Sequence, residues 1–136
     1  MKNIIIFSIL ASGVTLFNIA SAACTSPLVT NPASVLEGNT MCSNNSQEEH
    51  HASRDLWDYK LGDNHPGDHR KKIGTWNVVN VNGITSIKYT YDNAGGEFTF
   101  TLHSNGGNSY TYCGPEIVDA TLKIGINVGC STLPAP

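Results

Sequence analysis

The sequence predicts an α+β domain: a disulfide-tied N-terminal loop, one amphipathic helix, and an antiparallel meander of about five strands that the helix covers. Three observations predict it. Residues 46–60 space their apolar side chains at helical intervals, residues 73–130 alternate with a period of two between regular turn signals, and the cysteines fall in two widely separated pairs.

The chain opens with an export signal. Lys2 precedes the apolar run Ile4-Ile5-Ile6-Phe7-Ser8-Ile9-Leu10, and Ala20-Ser21-Ala22 supplies the small residues a signal peptidase reads. Ser8, Ser12, Gly13, Thr15 and Asn18 break the apolar stretch below the roughly 20 residues a bilayer-spanning helix needs, so no membrane span is expected. Cleavage near Ala22-Ala23 gives 1–22 as signal peptide and 23–136 as a single secreted domain, released to the periplasm or the medium. Cys24 after Ser21-Ala22-Ala23 offers a lipoprotein alternative, but Ser21 stands where a lipidation site usually has an aliphatic residue, and lipidation would leave three cysteines, one of them unpaired.

Removal of the signal leaves 114 of 136 residues, enough for one modest core. Lys2 leaves with it, so 8 basic against 11 acidic groups become 7 against 11, a net charge of −4. A nucleic-acid partner is not expected, because such binding needs a clustered positive surface and Arg70-Lys71-Lys72 is the longest basic run.

Residues 23–45 carry Pro27, Pro32, Gly38 and many small polar residues, which predicts an irregular loop. Cys24 and Cys42 flank this loop, whereas Cys113 and Cys130 flank the last strand. Four cysteines allow three connectivities, and sequential pairing is the preference on that placement. In the 46–60 helix, Ser46 and Glu49 fit a capping box, Glu48, Glu49 and Lys60 suit the helix dipole, and Ala52, Leu56 and Tyr59 form one apolar stripe. Gly62 ends it.

Strands are predicted near 73–81, 84–91, 97–103, 109–113 and 116–124. Asn82-Gly83 is the preferred pair for a two-residue hairpin turn, and Asn93-Ala94-Gly95-Gly96, Asn105-Gly106-Gly107-Asn108 and Gly114-Pro115 mark the others. Alternation puts Trp76, Val78, Ile87, Tyr89, Tyr91, Phe98, Phe100, Leu102, Tyr110, Tyr112, Val118, Ala120, Leu122 and Ile124 on the core face. The opposite face holds Lys88, Thr90, Thr99, Thr101, His103 and Thr111, a candidate binding face for a protein or small-molecule partner.

Two resemblances attach to these residues. Gly74-Thr75-Trp76 and the following aromatic hairpins resemble the opening of a lipocalin-like domain over roughly 30 residues, where G-x-W plugs one end of an eight-stranded barrel; this chain offers about five strands. Leu36-Glu37-Gly38-Asn39-Thr40-Met41-Cys42, Leu56-Trp57-Asp58-Tyr59-Lys60-Leu61-Gly62, Gly74-Thr75-Trp76, Tyr110-Thr111-Tyr112-Cys113 and Gly129-Cys130 together resemble small secreted bacterial proteins of unknown function. That resemblance implies a bacterial origin and export, and it implies no activity.

Histidines supply what candidate chemistry there is. On a helix Glu48, His51 and Asp55 would line one edge, and His65 and His69 from the next loop could join them around zinc or another divalent ion. The plain alternative is a solvated charged face, since H-E-x-x-H and cysteine-based zinc spacings are absent. Glu97 and His103 beside Lys88 loosely resemble the acid, base and cation of small secreted ribonucleases, but six strand residues at about 3.4 Å each set them roughly 20 Å apart. No catalytic residue is assigned: the chain has no G-x-S-x-G elbow, and each cysteine has a candidate partner. The expected function is a non-catalytic extracytoplasmic binding or interaction domain. Alternatives are a small-ligand carrier of lipocalin-like type, and a metal-dependent or ribonuclease-like enzyme using His50, His51, His65 or His103.

Overall fold

The computed structural model describes residues 22–44, 46–59 and 69–130. It corrects the predicted class: the domain is a closed barrel of eight antiparallel strands with neighbouring strands consecutive in sequence, not an α+β meander of five. The strands are β1 Asn39–Cys42, β2 Gln47–His50, β3 Asp55–Tyr59, β4 Lys71–Val81, β5 Ile84–Tyr91, β6 Gly96–Gly106, β7 Ser109–Cys113 and β8 Ile117–Lys123. The one α-helix among the described residues is α1, Pro32–Leu36. No helix there is long and apolar enough to cross a membrane.

Strands β4 to β8 follow the predicted segments closely. Asn82 and Gly83 both take positive φ, 52° and 85°, as the tight β4–β5 turn requires, and Asn80 Oδ1 accepts a hydrogen bond from the Gly83 amide at 2.9 Å. Gly74 lies where β4 crosses close to β5, and a Cβ there would collide with the Thr90 carbonyl oxygen. Only glycine fits.

The predicted helix over 46–60 does not form. Gln47–His50 is strand, residues 51–54 turn with Arg54 at φ 73°, and Asp55–Tyr59 is the next strand; Lys60 lies outside the described residues. A short isolated helix with one narrow apolar stripe is marginal, whereas β2 gains a ladder on each side, pairing with β1 and β3. Leu56 enters the core fully buried, while Ala52 of the expected stripe sits exposed in the turn. The predicted N-terminal loop likewise contains α1 and β1. Asn31 caps α1, Pro32 opens it, and Leu36 is fully buried at its end.

Closure comes from β1 pairing with β8, through Thr40 with Lys123, Met41 with Leu122 and Cys42 with Thr121. The seam leaves no exposed sheet edge. Most of the predicted core face points inward, from Trp76 to Leu122. Val78, Phe98 and Ile124 are corrections: the first two are 38% and 37% exposed and outside the core cluster, and Ile124 follows the end of β8 and is 73% exposed.

The disulfides also correct the sequential preference. They join Cys24 to Cys113 and Cys42 to Cys130, each tying a terminal segment to the barrel wall. The Cys24 sulfur is therefore bonded to Cys113 and not free for a lipid thioether. Two such bridges belong to an oxidising, extracytoplasmic environment. The Cys42 bridge lays Gly125–Cys130 along the outside of β1 and β2, where Asn39 Oδ1 accepts from the Gly125 amide, Glu49 Oε1 from the Asn127 amide, and Gln47 Oε1 from the Cys130 amide. Thr40, Gln47 and Glu49 are fully buried beneath this strap, although they point away from the barrel axis.

Candidate functional site

One end of the barrel is plugged. Trp76 is fully buried there, with its indole N–H donating to the His51 carbonyl at 3.1 Å and the Arg54 guanidinium 4.3 Å over its ring. Arg54 also pairs with Glu37 at the end of α1, at 3.2 Å, which ties helix, turn and plug together.

The other end is hollow. A cavity of about 460 Å³ lies among the β1–β2 turn, the β7–β8 turn and the inward side chains of β5 to β8. Its wall is aromatic: Tyr89, Tyr91, Phe100 and Tyr112 meet with ring centroids 5.9–6.2 Å apart. A hydroxyl relay runs along it. His50 Nε2 and Tyr89 Oη are 2.8 Å apart, and Tyr89 donates to Tyr112 Oη at 3.2 Å. Nearer the mouth, Tyr91 donates to Glu48 Oε1 at 3.0 Å.

Electrostatics fix the protonation of this wall. Burial pushes the Tyr89, Tyr91 and Tyr112 phenols well above the usual tyrosine range, and the negative charge of Glu48 pushes them further. They stay neutral and act as hydrogen-bonding groups. His50, fully buried behind Tyr89, is lowered to about 3, chiefly because burial penalises the imidazolium. Glu48 and Asp58 are register partners on β2 and β3, so both carboxylates share the inner face, with Asp58 buried.

The residues proposed for a metal are not gathered on one helix edge, because that helix is absent. Glu48 faces the cavity. His51 is outside the barrel, 3.0 Å from Glu49, and Asp55 is paired with Lys72 at 2.7 Å. His69 is exposed ahead of β4, and His65 lies outside the described residues. No group of three or more His, Cys, Asp or Glu that could hold a metal occurs among the described residues.

The candidate binding face is the outer wall of β5 to β7. Lys88 pairs with Glu97 at 2.8 Å, and Thr90 reaches the same carboxylate. Lys88 and Thr99 are register partners on that wall. Part of it is covered: His103 Nδ1 donates to the Ser26 carbonyl at 2.7 Å and its Nε2 lies 3.0 Å from the Thr101 hydroxyl, which donates to the Cys113 carbonyl, while Thr111 is fully buried and donates to Asp119 at 2.7 Å.

Sequence reasoning assigned the cavity tyrosines to the core and missed the cavity. The available signal was that Tyr89, Tyr91, Tyr110 and Tyr112 all fall on the inward face. Phenols turned inward need polar partners or water.

In comparisons with protein-family models, curated proteins and solved structures, nothing matches this chain.

Proposed function

We propose that the chain is a non-catalytic extracytoplasmic binding protein that carries a small molecule in the open end of its barrel. Residues 1–22 direct export in this reading, and the two disulfides suit the destination. The carrying observation is the cavity of about 460 Å³, concave, with an aromatic wall and polar side chains from Ser43, Asn44, Ser46 and Glu48 around it, within the roughly 300–1,000 Å³ typical of ligand sites. The resemblance to lipocalin-like domains at Gly74-Thr75-Trp76 points the same way. The outer wall carries the Lys72–Asp55 and Lys88–Glu97 ion pairs, which suit water and not a lipid-facing band.

Native mass spectrometry of gently purified, oxidised protein tests this. The expected result is a small-molecule adduct on the unaltered chain and none on Ala120→Phe, which would fill the cavity from β8. An unaltered chain that carries no adduct, and takes up none from envelope extract, would overturn the proposal.

A further inference from the structure

The two disulfides interleave along the chain: Cys24 bonds to Cys113 across 89 residues, and Cys42 bonds to Cys130 across 88. The local alternatives are far nearer in sequence, with 18 residues from Cys24 to Cys42 and 17 from Cys113 to Cys130. In the unfolded chain the entropic cost of closing a loop grows with the logarithm of its length, so each local bridge forms roughly tenfold more readily than the native one. Those local bridges do not fit the closed barrel. Cys42 stands opposite Thr121 and Cys113 opposite Ile117, both on β8. Four residues at about 3.4 Å along that strand and two strand spacings of about 4.8 Å put Cys42 roughly 16 Å from Cys113. The Cα of Cys24 lies 6.0 Å from that of Cys113, and the Cα of Cys130 lies 5.7 Å from that of Cys42. Each local pair is therefore at least about 10 Å apart, beyond the roughly 7 Å that a bridge tolerates. Hydrogen bonds hold both ends where they are. The Val29 amide donates to the Leu102 carbonyl at 2.8 Å and the Ser104 amide to the Pro27 carbonyl at 2.9 Å, which pins the residues before α1 to β6, while the strap is bonded to β1 and β2. The third connectivity would join Cys42 to Cys113 and fails by the same distance.

We infer that the chain is a substrate of a thiol–disulfide isomerase, which converts a locally bridged chain, Cys24 with Cys42 and Cys113 with Cys130, into the interleaved form that lets β1 close on β8. The exchange balances with one catalytic thiolate and no net oxidation or reduction. The isomerase thiolate attacks Cys42 Sγ, forming a mixed disulfide and releasing the Cys24 thiolate. Cys24 then attacks Cys113 Sγ, which forms the first native bridge and releases the Cys130 thiolate. Cys130 attacks Cys42 Sγ, which forms the second native bridge and returns the isomerase thiolate. Burial makes the last step one-way: in the closed barrel Cys42 and Cys130 are 8% and 5% exposed, so the finished bridge is out of an enzyme's reach. The exchange is independent of what the cavity holds.

Oxidative refolding of the full chain tests the inference, with the pairing read by peptide mapping in a mass spectrometer. Reduced, denatured protein is diluted into diamide, which leaves no thiol to drive exchange, and the oxidant is then removed. The peptides joining Cys24 to Cys42 and Cys113 to Cys130 should exceed the native pairs roughly tenfold. A catalytic amount of reduced protein disulfide isomerase should then convert them to the pairs Cys24 with Cys113 and Cys42 with Cys130. An isomerase stripped of its second active-site cysteine should be captured as a mixed disulfide by the diamide-treated chain and not by the native, oxidised protein. Native pairs as the main product of diamide alone would overturn the inference. So would local pairs that the isomerase leaves in place, or equal capture by the two forms of the chain.

Discussion

His50 shows how one buried side chain couples the barrel interior to pH. Its ring packs edge-on against Trp76 and Tyr89, and its Nε2 meets the Tyr89 hydroxyl at 2.8 Å. The unfolded imidazole takes a proton near pH 6.5 and the folded one only near pH 3. Between those values the unfolded chain binds more protons, so stability falls on acidification. From pH 7 to pH 5 the loss from this group is about 2 kcal/mol. Thermal denaturation should show that loss in the unaltered protein and not in His50→Phe, which keeps the ring contacts. Glu49 acts in the same direction at lower pH. Burial alone would raise its carboxyl, but hydrogen bonds from Arg70, His51 and the Asn127 amide outweigh burial and hold it below the usual range. Its stabilising contribution is thus present above about pH 4.5 and is lost as pH falls through the lowered value.

At the scale of elements, the C-terminal strap and strands β1 to β3 explain where the sequence was hard to read. Strands β4 to β8 were legible because their inward positions are apolar or aromatic, as in Ile87-Lys88-Tyr89-Thr90-Tyr91, and because Asn82-Gly83 marks a tight turn. In β2 and β3 the inward positions include Glu48, His50 and Asp58, so no apolar alternation shows. The outward positions of β2 are buried too, since Gln47 and Glu49 lie under the strap. A capping-box pattern at Ser46 and Glu49 then imitates a helix start. Cysteine pairing was misjudged for a related reason: proximity in sequence carries no information when each bridge spans nearly the whole barrel, with separations of 89 and 88 residues. Replacing Cys42 and Cys130 together by Ala should cost about 4 kcal/mol through loop entropy alone. Hydrogen exchange should then show Gly125–Cys130 opening ahead of β4–β7. An unchanged melting midpoint with full protection of that segment would show that the bridge does not hold the strap.

At the scale of the whole molecule, the proposed carrier function follows from closure. Pairing of β1 with β8 turns a meander into a barrel whose inner face divides into a sealed end around Trp76 and an open end around Tyr91. The inward set of residues was legible, but an open sheet with a helical lid would have made it a solid core. Three added strands change that outcome, because a closed eight-stranded wall encloses enough width for side chains or one small ligand. The tyrosines fit the second case.

The decisive measurement is an NMR titration of the oxidised protein, with its aromatic side chains labelled, against the small molecules of an envelope extract. Resonances of Tyr89, Tyr91, Phe100 and Tyr112 should shift together and saturate, while the Trp76 plug and the outer-wall Trp57 stay in place. Shifts confined to the exposed Val81–Ile84 turn, or to Trp57, would contradict a binding site inside the barrel.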